Sequence, residues 1–306
     1  MKSERAAITA NLASMLIFGT IGIVKHYISL PSGVIAFARG VIGAAFLLLV
    51  MLLTKHRFAF DAVKKNLVKL IASGAMLGFN WILLFEAYDY TSVPVATLCY
   101  YLAPTFIVLA SPIFFKERLT VPKLLCAAVS LIGMVLVSGI FGGNIGGKNP
   151  LLGICLGLAA AVLYASIVLI NKSVHGVEPF DRTTAQLVIS SAVLLPYLLI
   201  KGEFAAIDAS AADFTRSMLL LLVAGVIHTG VAYALYFGSL EKIKAQTAAI
   251  FSYVDPVTAI LLAAPILHEK LDIFGIIGAV LIIGAALTCE LLPDKNSHSG
   301  GKVHES

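Results

Sequence analysis

Four side chains that carry charge or titrate lie inside otherwise apolar stretches of this sequence: Arg39, Glu86, His228 and Asp255. In an apolar setting each costs about 3 kcal/mol on insertion scales, so each calls for a partner or a function. Asp255 stands directly before Pro256. Proline removes a backbone donor and frees a carbonyl, which suits a partly opened helix lining a cavity, where a carboxylate can receive an amino group. The same aspartate could instead brace a kink by bonding Ser252 or Thr258. His228, beside Thr229, could serve proton coupling because imidazole changes charge near neutral pH, or could bridge two helices as a neutral ring. Glu86, with Asp89 three residues on, is the other candidate for coupling, unless it snorkels to interfacial water. Arg39 demands a carboxylate. Structural pairing with a carboxylate at the end of one of the repeats described below is the first reading, and a clamp on a substrate carboxylate the second.

Aromatic rings supply the other recognition chemistry. Trp81, Tyr100, Tyr101, Tyr164, Tyr233 and Tyr253 all fall within apolar stretches, and Asn80 and Asn171 add amides. Ring faces hold ammonium groups by cation–π attraction and flat solutes by stacking, while some tyrosines at such positions serve only helix packing or the lipid interface. The substrate-contact set expected from sequence is therefore Trp81, Tyr101, Tyr233, Tyr253 and Asp255, with Asn80, Tyr100 and Tyr164 behind them.

Catalytic and metal chemistry is missing. The stretch Gly142–Lys148 nearly matches a phosphate-binding loop, but Asn149 stands where Ser or Thr is needed and no strand precedes it. There is no HExxH and no GxSxG. Cys99, Cys126, Cys155 and Cys289 lie in apolar runs without ligand spacing, as small packing residues. The expectation is no enzyme, no metal and no cofactor.

The elements that must position these residues are membrane helices. Of 306 residues, 59% are hydrophobic and 13% charged, with a mean hydropathy of +0.95. A soluble domain carries roughly 25% charged residues, so most of this surface must face lipid. Net charge +5 points to topology rather than nucleic acid, because the basic residues lie in short loops beside apolar runs. About 20 helical residues cross a hydrocarbon core. Ten such spans follow: 6–24, 32–54, 67–88, 93–115, 121–140, 151–170, 183–200, 217–238, 245–267 and 271–292. The first is read as a retained helix, not a cleaved signal, and residues 294–306 as a disordered tail. With both termini inside, 16 Lys and Arg fall on the cytoplasmic side and five on the other, as the positive-inside rule requires.

The chain is also built twice. Asn80–Leu119 returns without a gap as Ala232–Leu271, pairing Trp81 with Tyr233, Phe85 with Phe237, Tyr101 with Tyr253, Pro104 with Pro256 and Glu117 with Glu269. The halves are 1–145 and 146–293. Five spans per half is odd, so the second copy enters the membrane inverted, an arrangement that transporters use for alternating access around a midplane site. The fold class expected is an all-α polytopic membrane protein of ten transmembrane helices in two inverted five-helix repeats.

The repeated Pro104 to Glu117-Arg118-Leu119 and Pro256 to Glu269-Lys270-Leu271, with Arg39, Gly133 and Gly284, resemble the EamA-type branch of the drug/metabolite transporter superfamily. The resemblance spans the whole chain. It implies a monomer or loose homodimer, peripheral fifth and tenth spans, and a central cavity lined by the first, third and fourth spans and their counterparts. Often it implies export. Glu86, His228 and Asp255 match no family motif. The reading is a secondary transporter of small organic metabolites, an exporter of amino acids or related amphipathic compounds, in a bacterial inner membrane. The alternative is a passive channel or uncoupled facilitator.

Overall fold

A computed structural model describes residues 2–115, 120–137, 147–240, 251–269 and 272–291. Among these, all regular structure is helical. The first half contains α1 (Lys2–Gly19), α2 (Ile21–His26), α3 (Ser32–Thr54), α4 (Phe60–Lys65), α5 (Leu67–Tyr90), α6 (Val93–Tyr100), α7 (Ala103–Phe115) and α8 (Val121–Val137). The second contains α9 (Pro150–Lys172), α10 (Pro179–Lys201) and a short 3₁₀ turn (Glu203–Ala206). Then come α11 (Phe214–Gly225), a π-helical stretch (Val226–Val231), α12 (Ala232–Leu240), α13 (Val254–Leu267) and α14 (Ile273–Leu291).

Six helices among the described residues are long and apolar enough to cross a membrane: Arg5–His26, Ser32–Thr54, Leu67–Tyr90, Pro150–Lys172, Pro179–Lys201 and Phe214–Ser239. Val93–Ile107, Leu124–Leu136, Val254–Leu267 and Ile273–Ala285 are shorter apolar helices. Several stretches read from the sequence fall outside the described residues: Glu117-Arg118-Leu119, most of Gly142–Lys148, the start of the ninth span at 245–250, Lys270, Leu271 and the tail.

Local chemistry sets the boundaries. Ser92 accepts from the Val95 amide at the start of α6, with Pro94 in the first turn. Asn149 does the same for Leu152 ahead of Pro150. These are N-caps that satisfy donors no helical carbonyl can reach. Asp272 accepts from Gly275 at 2.7 Å, so the last helix begins at Ile273, two residues after the Leu271 expected from hydropathy. The seventh span begins at Pro179 instead of Thr183, because Asp181 is drawn into the fold: it accepts from the Ala59 amide at 3.0 Å and meets His56 at 2.7 Å. Gly202 ends that helix at φ 70°, where a Cβ would be strained.

Lipid faces and packing faces separate cleanly. Leu52, Leu53 and Ile200 are 75% or more exposed, which costs nothing in hydrocarbon. Inside, α5 packs on α9 and α10, α3 on α10, α11 and the π stretch, and α1 on α12 and α13. The helix α9 also packs on α6 and α7. To one side, α8 packs on α14 where Gly133 allows close approach: a Cβ there would lie 2.8 Å from the Gly278 carbonyl oxygen. The largest core cluster joins Ile35, Leu47, Phe85, Leu187 and Leu194 of α3, α5 and α10.

Candidate functional site

Three helices that point at one place are interrupted there. The first span breaks at Thr20 between α1 and α2, the fourth at Tyr101 and Leu102 between α6 and α7, and the ninth at Tyr253 ahead of α13. Tyr101 and Tyr253 are the repeat-equivalent tyrosines, so both copies break at the same position. Gly19 permits the approach: a Cβ on it would lie 2.6 Å from the Asp255 carbonyl oxygen. Backbone groups freed by such breaks are tolerated at membrane depth only beside a cavity or inside protein.

A cavity of about 280 Å³ lies there. Its wall includes Phe18, Gly19 and Gly22 from the first span, Arg39 from α3, and Trp81, Phe85 and Tyr88 from α5. Thr97, Tyr100 and Tyr101 come from the fourth span, Tyr164 from α9, Tyr233 from α12, and Tyr253, Asp255 and Ala259 from the ninth. Tyr100 packs on Tyr164 with centroids 5.5 Å apart and on Tyr101 at 6.0 Å, and Phe18 on Tyr233 at 5.3 Å. The Tyr101 hydroxyl interacts with the Asp255 carboxylate as a donor. Among the described residues, none of α8 or α14 lies on the wall.

Seven of the eight expected substrate-contact residues therefore line one cavity. Asn80 does not: it is fully buried and donates to the Ala160 carbonyl at 2.6 Å, tying α5 to α9. Asn171 is likewise structural in its contacts, accepting from Gln186 at 2.8 Å. Arg39 is 5% exposed and lines the cavity. Its Nε donates to Thr229 at 3.1 Å, and its guanidinium carbon lies 4.5 Å from the Trp81 ring centroid and 5.2 Å from that of Phe85. Among the described residues it has no ion pair, so the repeat-end carboxylate expected for it is not found there.

The two coupling candidates lie off the cavity wall. His228 sits in the π stretch, its Nε2 2.9 Å from the Thr20 hydroxyl and its Nδ1 3.5 Å from the Val223 carbonyl. The Thr20 hydroxyl donates to the Ile17 carbonyl at 2.8 Å, so a neutral ring protonated at Nε2 donates to the Thr20 oxygen. Glu86 is half-buried and lies near Glu203 and Tyr197.

Other residues of the site were not singled out from sequence. Phe18, Gly19 and Gly22 sat inside an apolar run with no polar marker, though the Gly-x-x-Gly spacing was legible. Lys25, counted as a loop residue, is buried and paired with Asp89. Val93 donates its amide to Glu269 at 2.9 Å, and Tyr27 donates to the Ile266 carbonyl at 3.4 Å. These contacts join α2 to α5 and the α13 end to both α2 and α6, on one end of the cavity.

Two matches to the EamA-like transporter family cover residues 5–139 and 151–289, and the chain belongs to that family. It is an integral membrane transporter. It is 31% identical to the uncharacterized transporter YxxF of Bacillus subtilis over 288 residues, 94% of this chain and 90% of that one. To YetK of the same organism it is 25% identical over 285 residues, 91% and 83% of the two chains. An uncharacterized transporter of Archaeoglobus fulgidus is 27% identical over 198 residues, 64% of this chain and 67% of its own. One solved crystal structure shares the fold with a TM-score of 0.63 at 19% identity, covering 92% of this chain and 95% of that one.

Proposed function

We propose that this protein is a secondary transporter of small organic metabolites, an exporter of amino acids or related amphipathic compounds, working by alternating access. The observation that carries the reading is the cavity: one volume walled largely by aromatic rings, holding Arg39 and Asp255, at the junction of interrupted helices. A cavity of about 280 Å³ is close to the lower end of the roughly 300–1,000 Å³ of small-molecule sites.

Ten spans in two inverted repeats fit the packing. Exchanging the first five spans for the second five turns each main contact into another one: third-on-sixth (α5 on α9) becomes eighth-on-first (α12 on α1). Likewise third-on-seventh (α5 on α10) becomes eighth-on-second (π stretch and α11 on α3), and fourth-on-sixth becomes ninth-on-first. The second-on-seventh and fifth-on-tenth contacts map onto themselves. In a carrier with this exchange symmetry the halves would trade conformations in a second state, which is the basis of alternating access. The units proposed are 1–145 and 146–293, as a monomer or loose homodimer in a bacterial inner membrane with both termini cytoplasmic. The Lys25–Asp89, Val93–Glu269 and Tyr27–Ile266 contacts would then close the cavity toward the non-cytoplasmic side.

A channel needs a continuous polar stripe or ring of like charge. Here apolar residues flank a few central polar groups, which favours a carrier. Purified protein in preloaded vesicles should release labelled amino acids or related metabolites with saturable kinetics. It should also be accelerated by unlabelled substrate on the far side. Flux linear in concentration, or unitary current steps, would replace the carrier with the channel.

A further inference from the structure

We infer that the cavity is a two-pole site for a zwitterion, in which Arg39 receives the substrate carboxylate and Asp255 the substrate ammonium group. The inference rests on the transport reading above and narrows its substrate class. It starts from a cation without a counter-ion. Arg39 is 5% exposed, yet among the described residues no carboxylate pairs with it. Its Nε is held by Thr229, and its guanidinium carbon lies over the Trp81 and Phe85 rings. The two terminal amino groups make no hydrogen bond to described residues. They are also absent from the buried polar atoms that are sealed without a partner, so they face the cavity space. Such a guanidinium, fixed at its stem and free at its fork, is preorganised for two parallel hydrogen bonds to a carboxylate.

Asp255 is the opposite pole of the same wall. It sits in the first turn of α13 and is touched by the Tyr101 hydroxyl, and no described cation pairs with it. Arg39 and Asp255 are not paired with each other either. A solute with one charge neutralises one pole and leaves the other desolvated and alone. A zwitterion neutralises both, and the aromatic rings of the wall take its apolar part. The bland alternative is that Arg39 is structural, braced by Thr229 and the rings. That alternative leaves ligand charge unread.

The chain holds one tryptophan, Trp81, and Arg39 lies on its ring, so intrinsic fluorescence reports the site directly. The probes are two sets sharing a side chain: phenylalanine, phenethylamine and 3-phenylpropionate; leucine, isoamylamine and 4-methylpentanoate. In wild type, at least one amino acid should bind about tenfold or more tighter than either of its one-pole analogues, the fold-change a charged hydrogen bond gives. Arg39→Gln should erase the preference over the amine while keeping that over the acid, and Asp255→Asn should do the reverse. Thr229→Val, which frees the Nε tether and keeps every charge, should weaken the amino acid and spare the amine, so the inference stays testable even if Arg39→Gln does not fold. A wild type that binds the amines as tightly as the amino acids overturns the inference, as does an Arg39→Gln or Thr229→Val loss shared equally by all three ligands. A wild type that binds none of the six, yet shows saturable flux of other solutes, overturns this inference alone. If saturable flux is also missing, the transport reading falls with it.

Discussion

Asp89→Asn removes the carboxylate from an ion pair whose two members differ in burial. Lys25 is 3% exposed and Asp89 45%. Breaking a fully enclosed pair by deleting one partner costs about 3–5 kcal/mol, because the survivor stays buried and uncompensated. Exposed pairs are worth about 0–1 kcal/mol. With one member enclosed and the other wet, the cost of Asp89→Asn should fall between, at about 2 kcal/mol. Lys25→Met keeps the stem and drops the charge. It leaves Asp89 reachable by water and should cost under about 1 kcal/mol, or stabilise. In that background Asp89→Asn should then do almost nothing, because no buried cation remains to be stranded. The assay is the melting temperature of purified variants in one detergent at one ionic strength. The order expected is wild type, Lys25→Met and the double variant close together, with Asp89→Asn clearly lower. If Lys25→Met melts as low as Asp89→Asn, or the double variant lies below both single ones, burial of Lys25 is not what sets the cost.

Burial raises the Glu269 carboxyl above its ordinary value, against the opposing effects of the Val93 amide and His26. A raised carboxyl binds more protons folded than unfolded, so its contribution to stability is present below about pH 4.5 and is lost as pH rises through the folded value. Glu269→Gln, which can still accept from Val93, should thus raise the melting temperature relative to wild type increasingly from pH 4.5 upward; a constant difference would refute this. Asp213 is held below the usual carboxylate range, first by the Ser29 hydroxyl. Its contribution is present above about pH 4 and is lost as pH falls, so Ser29→Ala should lower the melting temperature at neutral pH and lose that effect in acid. Gly19→Ala places a methyl 2.6 Å from the Asp255 carbonyl oxygen and from the Thr258 Cβ. It should weaken ligand binding in the cavity by about tenfold or more while Gly238→Ala, with open space around it, leaves binding unchanged.

Hydropathy and the repeat made most of the frame legible, because lipid-facing helices must be apolar along their length whatever they pack against. Boundaries escaped where a single side chain overrode hydropathy, as Asp181 did at Pro179 and Asp272 at Ile273. The aromatic wall was legible because rings are conspicuous and the repeat doubled them: Trp81 with Tyr233, and Tyr101 with Tyr253. Asn80 was misplaced as a cavity residue because sequence gives depth but not facing, and one helical step turned it onto Ala160. Arg39 showed the reverse problem. Its depth demanded an anion, and the sequence could not tell that its support is a hydroxyl and two rings. The polar ties at one end depended on which loop ends meet, which no local pattern encodes. The π stretch around His228 had no sequence marker beyond a histidine and a threonine.

Thr97 lies on the cavity wall, so one cysteine placed there can report access from either side of the membrane. In a background with the native cysteines replaced by serine, Thr97→Cys would be labelled by a charged maleimide applied to right-side-out and to inside-out vesicles. Alternating access predicts labelling from both sides, with Glu269→Ala, which removes the acceptor of the Val93 amide, speeding it from one side while slowing it from the other. Labelling from both sides that rises together, or from one side only under every condition, would contradict a carrier that exposes this cavity to each side in turn.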